Sequence, residues 1–163
     1  MADVLPENEA FYTEFEPKRK NQFVFYVEGI PTYMIRSGAR PQVSFNTLSL
    51  PHINVNRRLK GKVEDYPDIT LTLYDPIAPS GSQIVMEWLR LHHEAVTGRD
   101  GYADLYKKDV TYHTLDPSNA FIEKWTLKGA FISDVDFGDV AWDDDAEHTI
   151  DLTLTFDYPI LEY

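Results

Sequence analysis

Thr149-Ile-Asp-Leu-Thr-Leu-Thr-Phe-Asp-Tyr158 alternates without a break. Ile150, Leu152, Leu154, Phe156 and Tyr158 fall on one side, and Thr149, Asp151, Thr153, Thr155 and Asp157 on the other. A period of two is the signature of a strand with one buried face and one wet face. Asp68-Ile-Thr-Leu-Thr-Leu-Tyr-Asp75 repeats the pattern, with Ile69, Leu71 and Leu73 against Asp68, Thr70 and Thr72. Two such strands set the expectation for the rest of the chain: antiparallel β, each strand offering one face to a shared core.

Working outward, most of the remaining segments read as strands. Asn21–Val27 is aromatic and β-branched, and Glu28–Gly29 turns the chain. Further strands are expected near Thr32–Arg36 and Gln42–Leu48. Pro51 should interrupt the latter, and Ile53–Leu59 should resume it, giving an extended hairpin arm over about 50–65. Val110–Leu115 and Ala120–Leu127 can pair across Asp116-Pro-Ser-Asn119. Gly129 then suggests a bulge or a close backbone approach. Residues 1–20 lack periodicity and read as an extended arm anchored by Phe11, Tyr12 and Phe15. Residues 21–163 read as one β domain.

One helix is signalled, over 80–97. Pro76 and Pro79 end the preceding strand. Ser80 and Gln83 stand at capping-box spacing. Ile84, Val85, Trp88, Leu89, His92 and Val96 recur at three and four, with Val85, Trp88 and Leu89 as its core positions, and Gly98 follows as a C′ glycine. About eight strands and one helix fit an antiparallel double sheet, a β-barrel-like sandwich with one flanking helix.

The charge is uneven. The 163 residues hold 27 acidic and 15 basic groups, net −12, and no cysteine. Residues 1–62 carry nine basic against six acidic groups, net +3, while residues 63–163 carry six against 21, net −15. Such a balance argues against gripping nucleic acid through its phosphates. Without cysteine there is no disulfide framework, thiol nucleophile or thiolate metal site. The first ten residues lack a basic start and apolar run, so no signal peptide is expected, and no apolar stretch is long enough for a membrane helix.

Motifs for chemistry are sparse. Asp134, Asp136, Asp139, Asp143, Asp144, Asp145 and Glu147 invite a calcium reading. An EF-hand loop needs glycine at its sixth position, and counting from Asp134 that position is Asp139. His92 and His93 would point about 100° apart on a helix, and His52, His113 and His148 have no ligand spacing. There is no G-x-S-x-G elbow and no phosphate loop. No enzyme activity, metal or cofactor is expected. Arg57-Arg-Leu-Lys-Gly-Lys62 has the composition of a nucleic-acid patch but lacks interleaved aromatics.

Taken in order, the segments resemble the tail tube protein family of contractile-tailed bacteriophages. The likeness spans about 20–163. It runs through Asn21-Gln-Phe-Val-Phe25, Leu50-Pro-His-Ile-Asn-Val-Asn-Arg-Arg-Leu59 and Asp68–Asp75, and then a helix holding Trp88. It continues through Leu127-Lys-Gly-Ala-Phe-Ile-Ser-Asp-Val135, Trp142-Asp143 and the terminal strand ending in Asp157-Tyr158. The haemolysin-coregulated tubes of type VI secretion share the family's architecture.

The resemblance implies a structural subunit: six copies form a ring, and rings stack into a hollow conduit for the genome when the sheath contracts. The implied partners are further copies of itself, the tail sheath protein, and baseplate and tube-terminator proteins. Double-stranded DNA would pass without specific binding, and no membrane is involved. The location would be the virion tail, assembled in the host cytoplasm. Asn54, Arg57, Arg58, Lys60 and Lys62 are then expected at inter-ring contacts. Asp68, Thr70, Thr72, Asp151, Thr153, Thr155 and Asp157 are candidates to line the lumen. Two other readings stand beside it. One is the inner tube of a phage-derived injection or secretion system. The other is a monomeric acidic β-sandwich binding carbohydrate or calcium.

Overall fold

A computed structural model describes residues 16–163. The expected anchors Phe11, Tyr12 and Phe15, and most of the arm they belong to, lie outside the described residues. The strand that opens the sequence reading is β10, Thr149–Thr155, and it sits at the centre. Ile150, Leu152 and Leu154 are fully buried. On one side β10 pairs antiparallel with β5 (Ile69–Tyr74), whose Ile69, Leu71 and Leu73 are buried in the same core. On the other it pairs with the C-terminal part of β9 (Phe121–Asp136). β2 (Ile35–Gly38) adds a strand beyond β5.

The N-terminal part of β9 belongs to a second layer. There it pairs with β8 (Lys108–Leu115), which pairs in turn with β1 (Phe23–Val27). β11 (Tyr158–Leu161) runs along the other edge of β9. The seven strands form one open sheet, with β1 and β2 at its ends, rather than a closed barrel. Its two halves fold over a shared core. Phe25, Val27, Val110, Tyr112 and Leu127 come from one half, and the β5 and β10 side chains from the other.

Gly129 is the joint. It adopts φ +63. Two residues of β8 (Lys108 to Val110) span three of β9 (Ala130 to Leu127). This bulge moves the inward-facing series from Leu127 to Ala130 and Ile132, a change of parity, and so lets a 16-residue strand serve both layers.

The helix α1 covers Gly81–His92, shorter than the expected 80–97. Val85 and Trp88 are buried in the core, and Ile84 and Leu89 pack half-buried against it. Its start is capped by Asp75, whose carboxylate accepts from Ser82 N (3.1 Å) and Ser82 Oγ (2.5 Å). Ser80 occupies the N-cap position without a side-chain bond. The helix stops early because β6 (His93–Glu94) pairs with β7 (Arg99–Asp100). Gly98 (φ +69) therefore sits in a small hairpin instead of ending the helix, and Val96 is exposed. A short α2 (Ala103–Tyr106) receives the Trp88 indole N–H at 2.8 Å through the Tyr106 carbonyl.

Three further expectations are corrected. Thr32–Met34 form a 3-10 turn, so the second strand begins only at Ile35. Pro51 lies inside β3 (Phe45–His52), which a two-stranded ribbon tolerates because both strands are edges. The hairpin therefore spans 45–63 rather than 50–65, with β4 over Val55–Val63. Tyr158 is exposed rather than inward, because the chain turns at Asp157, whose N–H donates to the Lys128 carbonyl at 2.9 Å. No helix among the described residues is long and apolar enough to cross a membrane.

Candidate functional site

The β3–β4 hairpin stands apart from the core. All its strand residues are exposed except the half-buried Gly61. Ser44 and Glu64 tie its base together through Ser44 Oγ to Glu64 Oε2 at 2.8 Å. Its register sorts the side chains. Leu48 faces Leu59, Leu50 faces Arg57 and His52 faces Val55, giving one apolar face that carries a single arginine. Ser49 faces Arg58 and Thr47 faces Lys60 on the other face, where the Lys60 ammonium sits 4.5 Å from the Phe45 ring centroid. Asn54 is in the tip, beside Ile53 at φ +53. Residues 45–63 contain four cations and no carboxylate. Among the described residues, none of Arg57, Arg58, Lys60 and Lys62 makes an ion pair.

The second surface is the wet face of β5 and β10. Thr72 Oγ1 donates to Asp151 Oδ1 at 2.6 Å, Thr155 Oγ1 donates to Asp68 Oδ1 at 2.8 Å, and Thr70 stands opposite Thr153. Six of the seven residues expected on one polar face are thus brought together. Asp157 is not among them: it sits in the turn after β10 and pairs with Lys107 at 2.9 Å. The register adds residues that sequence reasoning missed. Asp134 lies opposite Thr153, Asp136 opposite Asp151, and Ser37 opposite Thr72. The available signal was Asp134 and Asp136 flanking Val135, but the pairing partner was not legible. The face therefore carries four carboxylates and no cation at its register positions. Arg36 borders it at the far end, bound to Glu147 (3.3 Å) and lying over the Tyr74 ring.

The loop of residues 137–148 follows directly. It exposes Val140 and Trp142, the latter completely, among Asp139, Asp143, Asp144 and Asp145. Among the described residues, no group of His, Asp or Glu is arranged to hold a metal ion.

Two buried polar groups are structural. Glu123 accepts from Lys18, Arg40 and the Trp125 indole, joining the segment before β1, the β2–β3 linker and β9. Burial pushes its carboxyl up, but the Lys18 and Trp125 hydrogen bonds and the nearby Arg40 outweigh this and hold it below the usual range. His113 packs between Tyr26 and Phe121, and burial, aided by Lys124, lowers its pKa.

No family model and no curated protein matches the sequence. Solved structures do match, across nearly the whole chain. A chain in the sheath/tube terminator of PVC, an extracellular contractile injection system, aligns with TM-score 0.74 and 15% identity, covering 93% of this chain and 100% of that one. A chain in the PVC sheath-tube complex aligns with TM-score 0.70 and 15% identity, covering 98% and 99%. A chain in the tube-terminating cap of the anti-feeding prophage gives TM-score 0.74 and 13% identity, covering 93% and 95%. The chain has the fold found in these contractile assemblies, as its resemblance to tail tube proteins implies.

Proposed function

We propose that the chain is a non-enzymatic structural subunit of the tube in a contractile tail-like assembly. Copies form six-fold rings, and the rings stack into a hollow conduit enclosed by a sheath and closed by baseplate and terminator proteins. The observation that carries this reading is the full-length match of fold to chains of contractile injection assemblies. The hairpin supports it. A ribbon of exposed Leu48, Leu50, Val55 and Leu59 whose four cations make no ion pair among the described residues suits a contact surface better than solvent.

The first form of the reading is a bacteriophage tail tube in the virion. Residues 21–163 make the tube domain. The β5–β10 face, with Asp68, Thr70, Thr72, Asp151, Thr153 and Thr155, lines the lumen. A lumen of carboxylates and hydroxyls repels phosphate, so DNA slides without sticking. The second form is the inner tube of an injection system, favoured by what the matched structures are described as. The genes beside this one separate the two.

Negative-stain microscopy of the purified protein tests the shared core of both. Rings or tubes about 100 Å wide are expected for six domains of this size. A monomer at every concentration, with no tube on co-expression with a sheath protein, refutes it. Changing Arg57 and Arg58 together to Glu should block tube growth and leave the subunit folded; normal-length tubes would remove the hairpin from the contact.

A further inference from the structure

Residues 137–148 and the hairpin are complementary surfaces; in the loop only Glu147 is ion-paired among the described residues, to Arg36 at 3.3 Å. The loop has no Lys or Arg and exposes Asp139, Asp143, Asp144 and Asp145 around Val140 and Trp142. The hairpin has no carboxylate; Arg57 shares the exposed face of Leu48, Leu50 and Leu59, and Arg58 and Lys60 project from the opposite face of the same strand β4. Among the described residues, none of these aspartates and hairpin cations makes an ion pair.

The two surfaces lie at opposite ends of one sheet. The loop leads into Thr149, which pairs with Tyr74 at one end of β10 and β5. The hairpin leads, through residues 64–68, into Ile69, which pairs with Leu154 at the other end. The hairpin's nine-residue strand reaches about 30 Å at ~3.3 Å per residue, from a base at the end of the sheet opposite the loop.

We propose that the hairpin of one copy docks on the 137–148 loop of a second copy. Trp142 and Val140 seat on the Leu48, Leu50 and Leu59 face, where Arg57 can lie over the indole. Asp143 also meets Arg57 on this face, while Asp139 and Asp145 reach around the free edge of β4 to Arg58 and Lys60 on the other face. The proposal rests on the tube reading and deepens it by naming the acceptor of the hairpin. Because donor and acceptor are different patches on one chain, the contact is heterologous and propagates head to tail. Their placement at opposite ends of β5 and β10 makes the direction of propagation that of the strands.

Charge reversal tests it. One variant carries Arg57→Glu, Arg58→Glu and Lys60→Glu; a second carries Asp139→Lys, Asp143→Lys and Asp145→Lys. All six positions are exposed, and circular dichroism melts confirm that each variant folds. Assembly is read by sedimentation and negative-stain microscopy. Each variant alone sets like charges against each other, so the concentration needed for assembly should rise about 10-fold or more. An equimolar mixture pairs acidic hairpins with basic loops and basic hairpins with acidic loops. It should assemble near the wild-type concentration, as should a single chain carrying all six changes.

If the loop variant assembles like wild type while the hairpin variant does not, the hairpin has another acceptor and the inference falls, with the tube reading intact. If the mixture and the six-fold variant both fail although folded, the inference also falls. If the wild type itself forms neither rings nor tubes, the tube reading falls and takes the inference with it.

Discussion

Replacing Gly129 by alanine probes the joint that lets β9 serve two layers. At φ +63 an alanine costs about 1–2 kcal/mol in backbone strain. Its Cβ would also stand 2.2 Å from Asp157 Oδ2 and 3.0 Å from Asp157 Cγ. The carboxylate must swing away, giving up its ion pair with Lys107, which at this exposure is worth up to about 1 kcal/mol. The total is about 1–3 kcal/mol, or roughly 2–10 °C in Tm for a chain of this size. Gly98 supplies the control. It shares a left-handed φ of +69, but nothing lies within 4 Å of an added Cβ, so Gly98→Ala should cost the strain alone. Urea unfolding followed by circular dichroism, at unchanged m, gives both numbers. Adding Asp157→Ala should recover about 0.5–1 kcal/mol of the Gly129→Ala loss as coupling, with no such recovery for Gly98→Ala. A Gly129→Ala chain within about 0.5 kcal/mol of wild type would refute the joint, and equal costs at the two glycines would refute the Asp157 contact.

The rest of the fold makes further outcomes measurable. Leu152→Ala, at a fully buried position in the central strand, should cost about 2–5 kcal/mol in denaturant unfolding. Glu123 has a lowered pKa when folded, so its stabilising contribution is present above the unfolded glutamate pKa of about 4.3 and fades as pH falls below it. The stability gap between wild type and Glu123→Gln should therefore shrink from pH 6 to pH 3; a constant gap would mean that the ion cluster does not matter. Asp134→Lys, Asp136→Lys and Asp151→Lys together should leave the exposed face folded but make assembled tubes retain linear DNA in a salt-dependent co-sedimentation assay. DNA retention equal to that of wild-type tubes would remove this face from the lumen.

The strands with a strict period of two were legible because burial on one face imposes that period locally. Ile69, Leu71 and Leu73, and Ile150, Leu152 and Leu154, announce their own faces. What the sequence hides is set by partners far along the chain. α1 ends at His92 because His93 and Glu94 pair with Arg99 and Asp100, while the apolar recurrence runs on to Val96. Inside β9 the parity shifts at Gly129, and a second register shift follows where Asp134 rather than Ser133 meets Thr153. A periodicity count from Leu127 therefore misplaces Ala130 and Ile132, which lie between the two shifts, and returns to phase only at Val135. Asp134 and Asp136 stayed out of the expected polar face for another reason, because nothing local names β10 as the neighbour of β9. They read as members of an acidic run, and only the register puts them beside Thr153 and Asp151. The hairpin was legible as an arm, yet its division into a leucine face and a cationic face depends on the pairing of Leu48 with Leu59 and of Thr47 with Lys60.

The net charge of −12 takes on a different meaning once register is known. A uniformly acidic subunit would resist stacking, since like charges brought together cost assembly energy. Here the hairpin cations stand at one end of the β5–β10 sheet, the loop acids at the other, and the carboxylates of Asp68, Asp134, Asp136 and Asp151 between them. At physiological salt, screening acts beyond about 8 Å, so the balance is decided locally, patch against patch. Copies stacked along the strands would neutralise hairpin against loop and leave the intervening face charged, because no lysine or arginine stands opposite it in the ladder. The surplus charge then concentrates on a surface that the stacking contact does not cover. A polymer joined in this way can be both cohesive along its length and repulsive toward a polyanion moving past it.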